Sequence, residues 1–180
     1  MAREKEQTRY VLTGGPCCGK TTLIDELEQR GYSVLEEVAR QVIEERKHIP
    51  TSQEEWVIRE DLIVRGQLEK ESQLPDSAFL DRGLQDIVAY SNHFLGFIPE
   101  AVKNIQLADR YSKIFVLDML PFEDDGLRVE SGAEEAQEIH EMIISAYKET
   151  GYPLIYVPVF PGLKEQAIKQ RANYVLDKIK

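Results

Sequence analysis

Gly14-Gly15-Pro16-Cys17-Cys18-Gly19-Lys20-Thr21 satisfies G-x-x-x-x-G-K-[ST] at every fixed position, and this octet constrains the fold more than any other stretch of the chain. The pattern needs a strand before it and a helix after it. Tyr10-Val11-Leu12 reads as a short buried strand, and Thr22 to Gln29, with Leu23, Ile24 and Leu27 on one face, reads as the helix. Gly14 and Gly19 let the backbone curl closely around phosphate oxygens without a side-chain clash. Successive N–H groups and the positive end of the helix then face the anion. Lys20 is expected at the β- and γ-phosphates and Thr21 on Mg²⁺. ATP contacts are expected from Gly14, Gly15, Pro16, Cys17, Cys18, Gly19, Lys20, Thr21 and Thr22 together.

Downstream, strands and helices alternate. Ser33-Val34-Leu35 leads into Glu36 and Glu37, Ala78-Phe79-Leu80 into Asp81, and Ile114-Phe115-Val116-Leu117 into Asp118; Leu154-Ile155-Tyr156-Val157 is a fifth candidate strand. Helical spacing is expected from Val38 to the residues before Ile49-Pro50, from a Thr51 or Ser52 cap to the residues before Pro75, and from Leu84 to Phe94. Further helices are expected from Glu100 to Arg110, behind the irregular stretch 121–132 with Ile139, Met142, Ile143 and Tyr147 buried, and from Leu163 to Ile179. Such alternation specifies an α/β fold with a mostly parallel sheet of about five strands and helices on both faces. Ligands of these sheets gather at the carboxyl ends of strands. That places Gly14, Glu36-Glu37, Asp81-Arg82 and Asp118 around one cleft. The 180 residues suit a single nucleotide-binding domain, with a lid at about 119–133.

A net charge of −10 argues against general nucleic-acid binding, which draws its affinity from a basic face. It suits a small phosphorylated ligand held by a few placed cations. The only two cysteines, Cys17 and Cys18, lie inside the glycine loop, which excludes a disulfide framework and a structural zinc site. No apolar run is long enough to span a bilayer and residues 1–9 are polar, so the expected location is cytoplasmic.

A phosphate loop binds a triphosphate without saying what becomes of it. The D-x-x-G and N-K-x-D of a regulatory GTPase and the L-S-G-G-Q of an ABC ATPase are absent from this chain, and a full AAA+ motor needs more residues after the loop. A small-molecule kinase needs the loop, a carboxylate near the acceptor, cations for the moving phosphoryl group and a lid. Asp81-Arg82-Gly83 is similar to the Asp/Glu-Arg pair of thymidylate and deoxynucleoside kinases. Gly14 to Thr22, Glu37-Val38-Ala39-Arg40, Asp81-Arg82-Gly83 with Asp86 and Tyr90, and Pro121-Phe122-Glu123-x-x-Gly126-x-Arg128 together resemble the P-loop family that includes the ribosylnicotinamide kinase domain of the bacterial NAD regulator.

The resemblance implies a P-loop sandwich with ATP and Mg²⁺ as cofactors. It places Asp81 near the metal or the acceptor, Arg82 on phosphate or acceptor, Arg128 in the lid and Glu37 as the acceptor-side base, with Glu36 the alternative base. A hydrophobic strand ending in Asp is also where a metal-holding carboxylate sits, which fits Asp81 and Asp118 alike. Asp81 and Arg82 are expected at an open strand end, where their replacement would spare folding. The loop Pro158 to Gly162 is where related kinases contact the base. The expected activity is phosphoryl transfer from ATP to a small nucleoside-like metabolite. The alternatives are a nucleotide-dependent switch acting through a protein partner, and a nucleic-acid end kinase, which the acidic charge disfavours. His48, His93 and His140 have no metal-ligand spacing and read as structural or solvated, and Trp56 as core or acceptor-pocket wall.

Overall fold

The computed structural model describes residues 7–46, 50–122 and 129–180. Five strands, β1 (Thr8–Thr13), β2 (Val34–Leu35), β3 (Ser77–Asp81), β4 (Lys113–Leu117) and β5 (Leu154–Val157), form one sheet in the order β2-β3-β1-β4-β5. Every pairing is parallel, so each connection must cross over, and helices supply the crossovers. They are α1 (Lys20–Gln29), α2 (Val38–Arg46), α3 (Gln53–Gln73), α4 (Leu84–Leu95), α5 (Glu100–Lys103), α6 (Ala133–Glu149) and α7 (Lys164–Asp177).

Strand parity decides which helix covers which residue. Val11, Ala78, Leu80, Ile114 and Val116 point to one face and pack with Ala89 and Tyr90 of α4 and Ile139, Ile143 and Tyr147 of α6. Leu12, Phe79, Phe115, Leu117 and Val157 point to the other, against Leu23, Ile24 and Leu27 of α1 and Ala172 and Val175 of α7. The middles of the central strands are therefore apolar on both faces, as strands covered on both sides require. A third cluster, Ile63, Val64, Leu84, Ile87 and Val102, seats α3 on the outer side of α4.

One local expectation needs correction. The helix expected from Glu100 to Arg110 lasts only from Glu100 to Lys103. Beyond it the Leu107 carbonyl accepts from Gln85 Nε2 and from the Tyr152 hydroxyl, both at 2.9 Å, and Asp109 adopts a φ of 58°, so tertiary partners replace the helical ladder. The sheet is parallel at every pairing, in keeping with the expected mostly parallel sheet of about five strands. Ser52, not Thr51, caps α3, accepting from the Glu55 N–H at 3.2 Å. Glu123, Gly126 and Arg128, and with them residues 123–128 of the expected lid, lie outside the described residues.

Candidate active site

The loop after β1 is shaped by close packing on both sides. Gly14 has a φ of 132°, and a Cβ there would lie 2.9 Å from the Leu117 carbonyl oxygen; one on Gly15 would lie 2.9 Å from that of Ala136. Neither position admits a side chain. Lys20 is buried and folds back onto its own loop, donating to the Gly14 carbonyl at 2.9 Å and the Gly15 carbonyl at 2.8 Å. Its ammonium thus sits where the loop curls, beside Cys18 Sγ at 3.3 Å.

Two residues that the spacing analysis did not single out hold this loop. The Gly15 N–H donates to His140 Nδ1 at 2.9 Å, across 125 positions of sequence. His140 is buried on α6, and burial together with the Lys20 charge lowers its pKa, which keeps Nδ1 an acceptor. The Arg171 guanidinium, on α7, donates to the Cys18 carbonyl at 2.6 Å, the Asp118 carbonyl at 3.1 Å and the Pro158 carbonyl at 3.1 Å, tying the phosphate loop to the ends of β4 and β5. Neither had a sequence signal, since each partner is a backbone group far along the chain.

Asp81, at the end of β3, accepts from the Thr21 hydroxyl at 3.2 Å through Oδ2, while its buried Oδ1 has no hydrogen-bond partner. Burial, then repulsion from Glu37, pushes the Asp81 carboxyl up to about 7. Asp118 is exposed instead; its carbonyl accepts from Arg171 and its N–H donates to the Val157 carbonyl. Of the two strand-end aspartates, Asp81 is the one joined to Thr21.

Arg82 follows with a φ of 74°, a left-handed conformation that is strained for a residue with a side chain. Three contacts hold it there. Nε donates to Glu37 at 2.7 Å, Nη1 to Asp86 at 3.1 Å and Nη2 to the Tyr90 hydroxyl at 3.3 Å. Burial opposes its charge, but Glu37, Tyr90, Asp86 and Asp81 outweigh that and hold the Arg82 pKa well above its ordinary value. Burial would raise Glu37 too, yet Arg82 and Lys20 prevail and lower it. Glu36 turns outward, exposed, to accept from Gln41 Nε2 at 3.3 Å. The open-strand-end expectation for Asp81 and Arg82 is therefore incorrect: Asp81 is 1% exposed and each guanidinium nitrogen of Arg82 is hydrogen-bonded.

Asp86 completes the frame. Its Oδ1 accepts from the Thr13 hydroxyl at 2.8 Å as well as from Arg82, and its Oδ2 from the Gly83 N–H at 3.1 Å and the Tyr147 hydroxyl at 2.7 Å. Tyr90 in turn donates to Glu130 at 2.6 Å. Beside this frame a cleft opens between α2, α3 and α4, lined by Glu37, Arg40, Arg59, Glu60, Arg82 and Tyr90 among others. Trp56 lies behind the lining, stacked on Phe94 at 4.3 Å with the Arg59 guanidinium 4.4 Å from its ring centre. Burial pushes the Glu60 carboxyl up to about 7 despite the opposing charge of Arg59. Among the described residues no cluster of three or more His, Cys, Asp or Glu could hold a metal, so any cation would depend on oxygens beyond Thr21 and Asp81. No described helix is long and apolar enough to cross a membrane.

A family model described as an AAA domain, AAA_28, matches residues 9–165, a span that includes the phosphate loop, Asp81-Arg82 and the cleft. The chain belongs to this AAA domain family. No curated protein matches it. Among solved structures it resembles NadR protein in complex with NR, at 19% identity and a TM-score of 0.71, covering 96% of this chain and 50% of that one. The chain thus spans about half the length of NadR. Thymidylate kinase from Ehrlichia chaffeensis aligns at 11% identity and a TM-score of 0.63, over 97% of this chain and 100% of the other. Deoxyadenosine kinase from M. mycoides with products dcmp and dcdp bound aligns at 14% identity and a TM-score of 0.60, over 96% and 98%. These likenesses establish a fold of the P-loop nucleoside-kinase type.

Proposed function

We propose that this AAA domain protein is an ATP- and Mg²⁺-dependent kinase that phosphorylates a hydroxyl of a small, nucleoside-like metabolite, with residues 1–180 acting as one domain in the cytoplasm. The observation that carries this reading is the placement of a fixed arginine, Arg82, and two carboxyls, Asp81 and Glu37, between the phosphate loop and a separate cleft. A protein that only bound or hydrolysed a nucleotide would not need that second cavity.

In this reading Lys20 exchanges the carbonyls of Gly14 and Gly15 for phosphate oxygens. The unpartnered Oδ1 of Asp81 and the Thr21 hydroxyl fit a hard, oxygen-seeking cation, and they would hold Mg²⁺ together with phosphate and water oxygens. When bound, it would neutralise charge on the phosphates. The acceptor hydroxyl approaches from the cleft. As its oxygen bonds to the γ-phosphorus and the bond to the bridging oxygen of ADP breaks, Glu37 accepts the hydroxyl proton and Arg82 stabilises the equatorial oxygens. A lowered pKa makes Glu37 a weak base, which suits a transition state in which the proton leaves late. Arg128 remains the proposed lid cation, and the loop 158–162 the proposed resting place of adenine.

A screen of hydroxylated acceptors with γ-labelled ATP tests the reading. Label transferred to a small molecule well above the rate of phosphate release is the expected result. Release of phosphate with transfer to none of them would overturn the kinase reading and leave a nucleotide-dependent switch.

A further inference from the structure

Arg59 and Glu60 are two buried charged side chains of the cleft that the phosphoryl-transfer chemistry leaves unused. They are 5% and 1% exposed, and both project from α3 on the stripe that also buries Trp56, Ile63 and Gln67. Arg59 Nε and Nη1 and Glu60 Oε1 have no hydrogen-bond partner. The two side chains approach each other only to 4.0 Å, an ion-pair distance too long for a hydrogen bond. A buried ion pair without hydrogen bonds is costly to desolvate, and apolar residues of similar volume would serve stability as well or better. Trp56, packed between Phe94 and Arg59, fixes the plane of the guanidinium. Both residues line the cleft.

We propose that Arg59 and Glu60 determine acceptor specificity, reading an uncharged molecule by an amide-type edge whose carbonyl accepts from Arg59 and whose N–H donates to Glu60. The inference rests on the cleft being the acceptor site of the proposed kinase. Arg59 has donors only, so it requires an acceptor atom; Glu60 Oε1 supplies the acceptor that an adjacent N–H needs. With Glu60 ionised, above its pKa of about 7, the pair balances in charge. An anionic edge would then meet the Glu60 carboxylate and a cationic edge the Arg59 guanidinium, both largely buried in the cleft wall.

Trp56 is the only tryptophan of the chain and touches Arg59, so its fluorescence reports occupancy without any need for ATP. The full chain is titrated with uridine and inosine, which carry a carbonyl beside an N–H, and with 3-methyluridine, which lacks the N–H, and benzimidazole riboside, which lacks both. Uridine and inosine are expected to change the fluorescence with a Kd at least about tenfold lower than the two controls, the scale of one buried hydrogen bond lost. In the Arg59→Met/Glu60→Leu double variant that discrimination disappears while the thermal midpoint holds or rises, as expected when apolar residues replace a buried ion pair. Glu60→Gln keeps the acceptor oxygen and retains discrimination to within about threefold. Glu60→Leu alone, the reserve should the double variant not fold, loses it.

Equal affinity for all four probes, no response to any, or discrimination that survives in the double variant or in Glu60→Leu overturns the proposal. Selective binding without label transfer would sink the kinase reading and leave the specificity pair standing. Transfer with no discrimination would do the reverse.

Discussion

Replacing Glu60 with glutamine should change how stability depends on pH, and by an amount that follows from its surroundings. Burial raises its pKa from 4.5 to about 7, because the charge of Arg59, 4.0 Å away and not hydrogen-bonded to it, falls short of the desolvation penalty. A folded state that binds a proton more tightly than the unfolded chain loses stability as pH rises between the two pKa values. The contribution is fully present below about pH 4.5 and is lost as pH climbs through about 7. At about 1.4 kcal/mol per unit, that rise corresponds to about 3 kcal/mol. Glutamine occupies the same volume and cannot ionise. Urea denaturation of both proteins from about pH 5 to about pH 8 should therefore show the variant gaining about 3 kcal/mol on the parent across the range, with unchanged m-values. Asp81 contributes a slope of the same sign to both proteins and cancels in the comparison. Parallel pH profiles would refute the reasoning, for they would mean that Glu60 is as well satisfied ionised as neutral.

Lys20→Ala should weaken ATP binding by about tenfold to a hundredfold in equilibrium dialysis, as expected for a charge-assisted phosphate contact that loop amides alone cannot replace. Asp81→Asn should lower label transfer at least about tenfold, equivalent to about 1.4 kcal/mol, with folding intact by circular dichroism; normal turnover would remove Asp81 from the site. Arg82→Ala should unfold at markedly lower urea, by about 3 kcal/mol or more, because Glu37 and Asp86 lose their common partner, and an unchanged midpoint would contradict the buried pairing. His140→Ala should weaken ATP binding by about tenfold, with His140→Asn nearer the parent, since the Gly15 N–H would lose its acceptor. The stabilising contribution of His140 should be present above about pH 6.5 and disappear as pH falls through its lowered pKa, a slope that His140→Asn abolishes.

The phosphate loop and all five strands were legible because each depends on a local pattern: glycines at fixed spacing, and short apolar runs ended by an acidic residue, Gly or Pro. Glu100 to Arg110 was not, because its helical spacing was overridden by Gln85 and Tyr152, which reach the Leu107 carbonyl from other parts of the fold. The same limit hid much of the site. Asp81 and Asp118 look alike in sequence, and only the position of Thr21 distinguishes them. His140 and Arg171 act on backbone groups of the loop, so no spacing could reveal them. Arg59 and Glu60 did leave a trace. They fall at the helical phase of Trp56 and Ile63, where charged side chains are out of place on a stripe otherwise bound for the interior.

The saturation of Asp86 has a kinetic corollary. One carboxylate joins the tip of β1, the turn after β3, the start of α4 and the last turn of α6, through Thr13, Arg82, Gly83 and Tyr147. Ordering those four segments costs conformational entropy once, during folding, and leaves little to be lost when substrates arrive. Amide hydrogens at Gly83 and its neighbours should then exchange only through global opening of the molecule, while those of a wall assembled on binding would exchange early and slow down when ligand is added. On that basis the arginine end of the cleft behaves as a fixed template, and any adjustment to different acceptors must come from the side chains and segments that close over it.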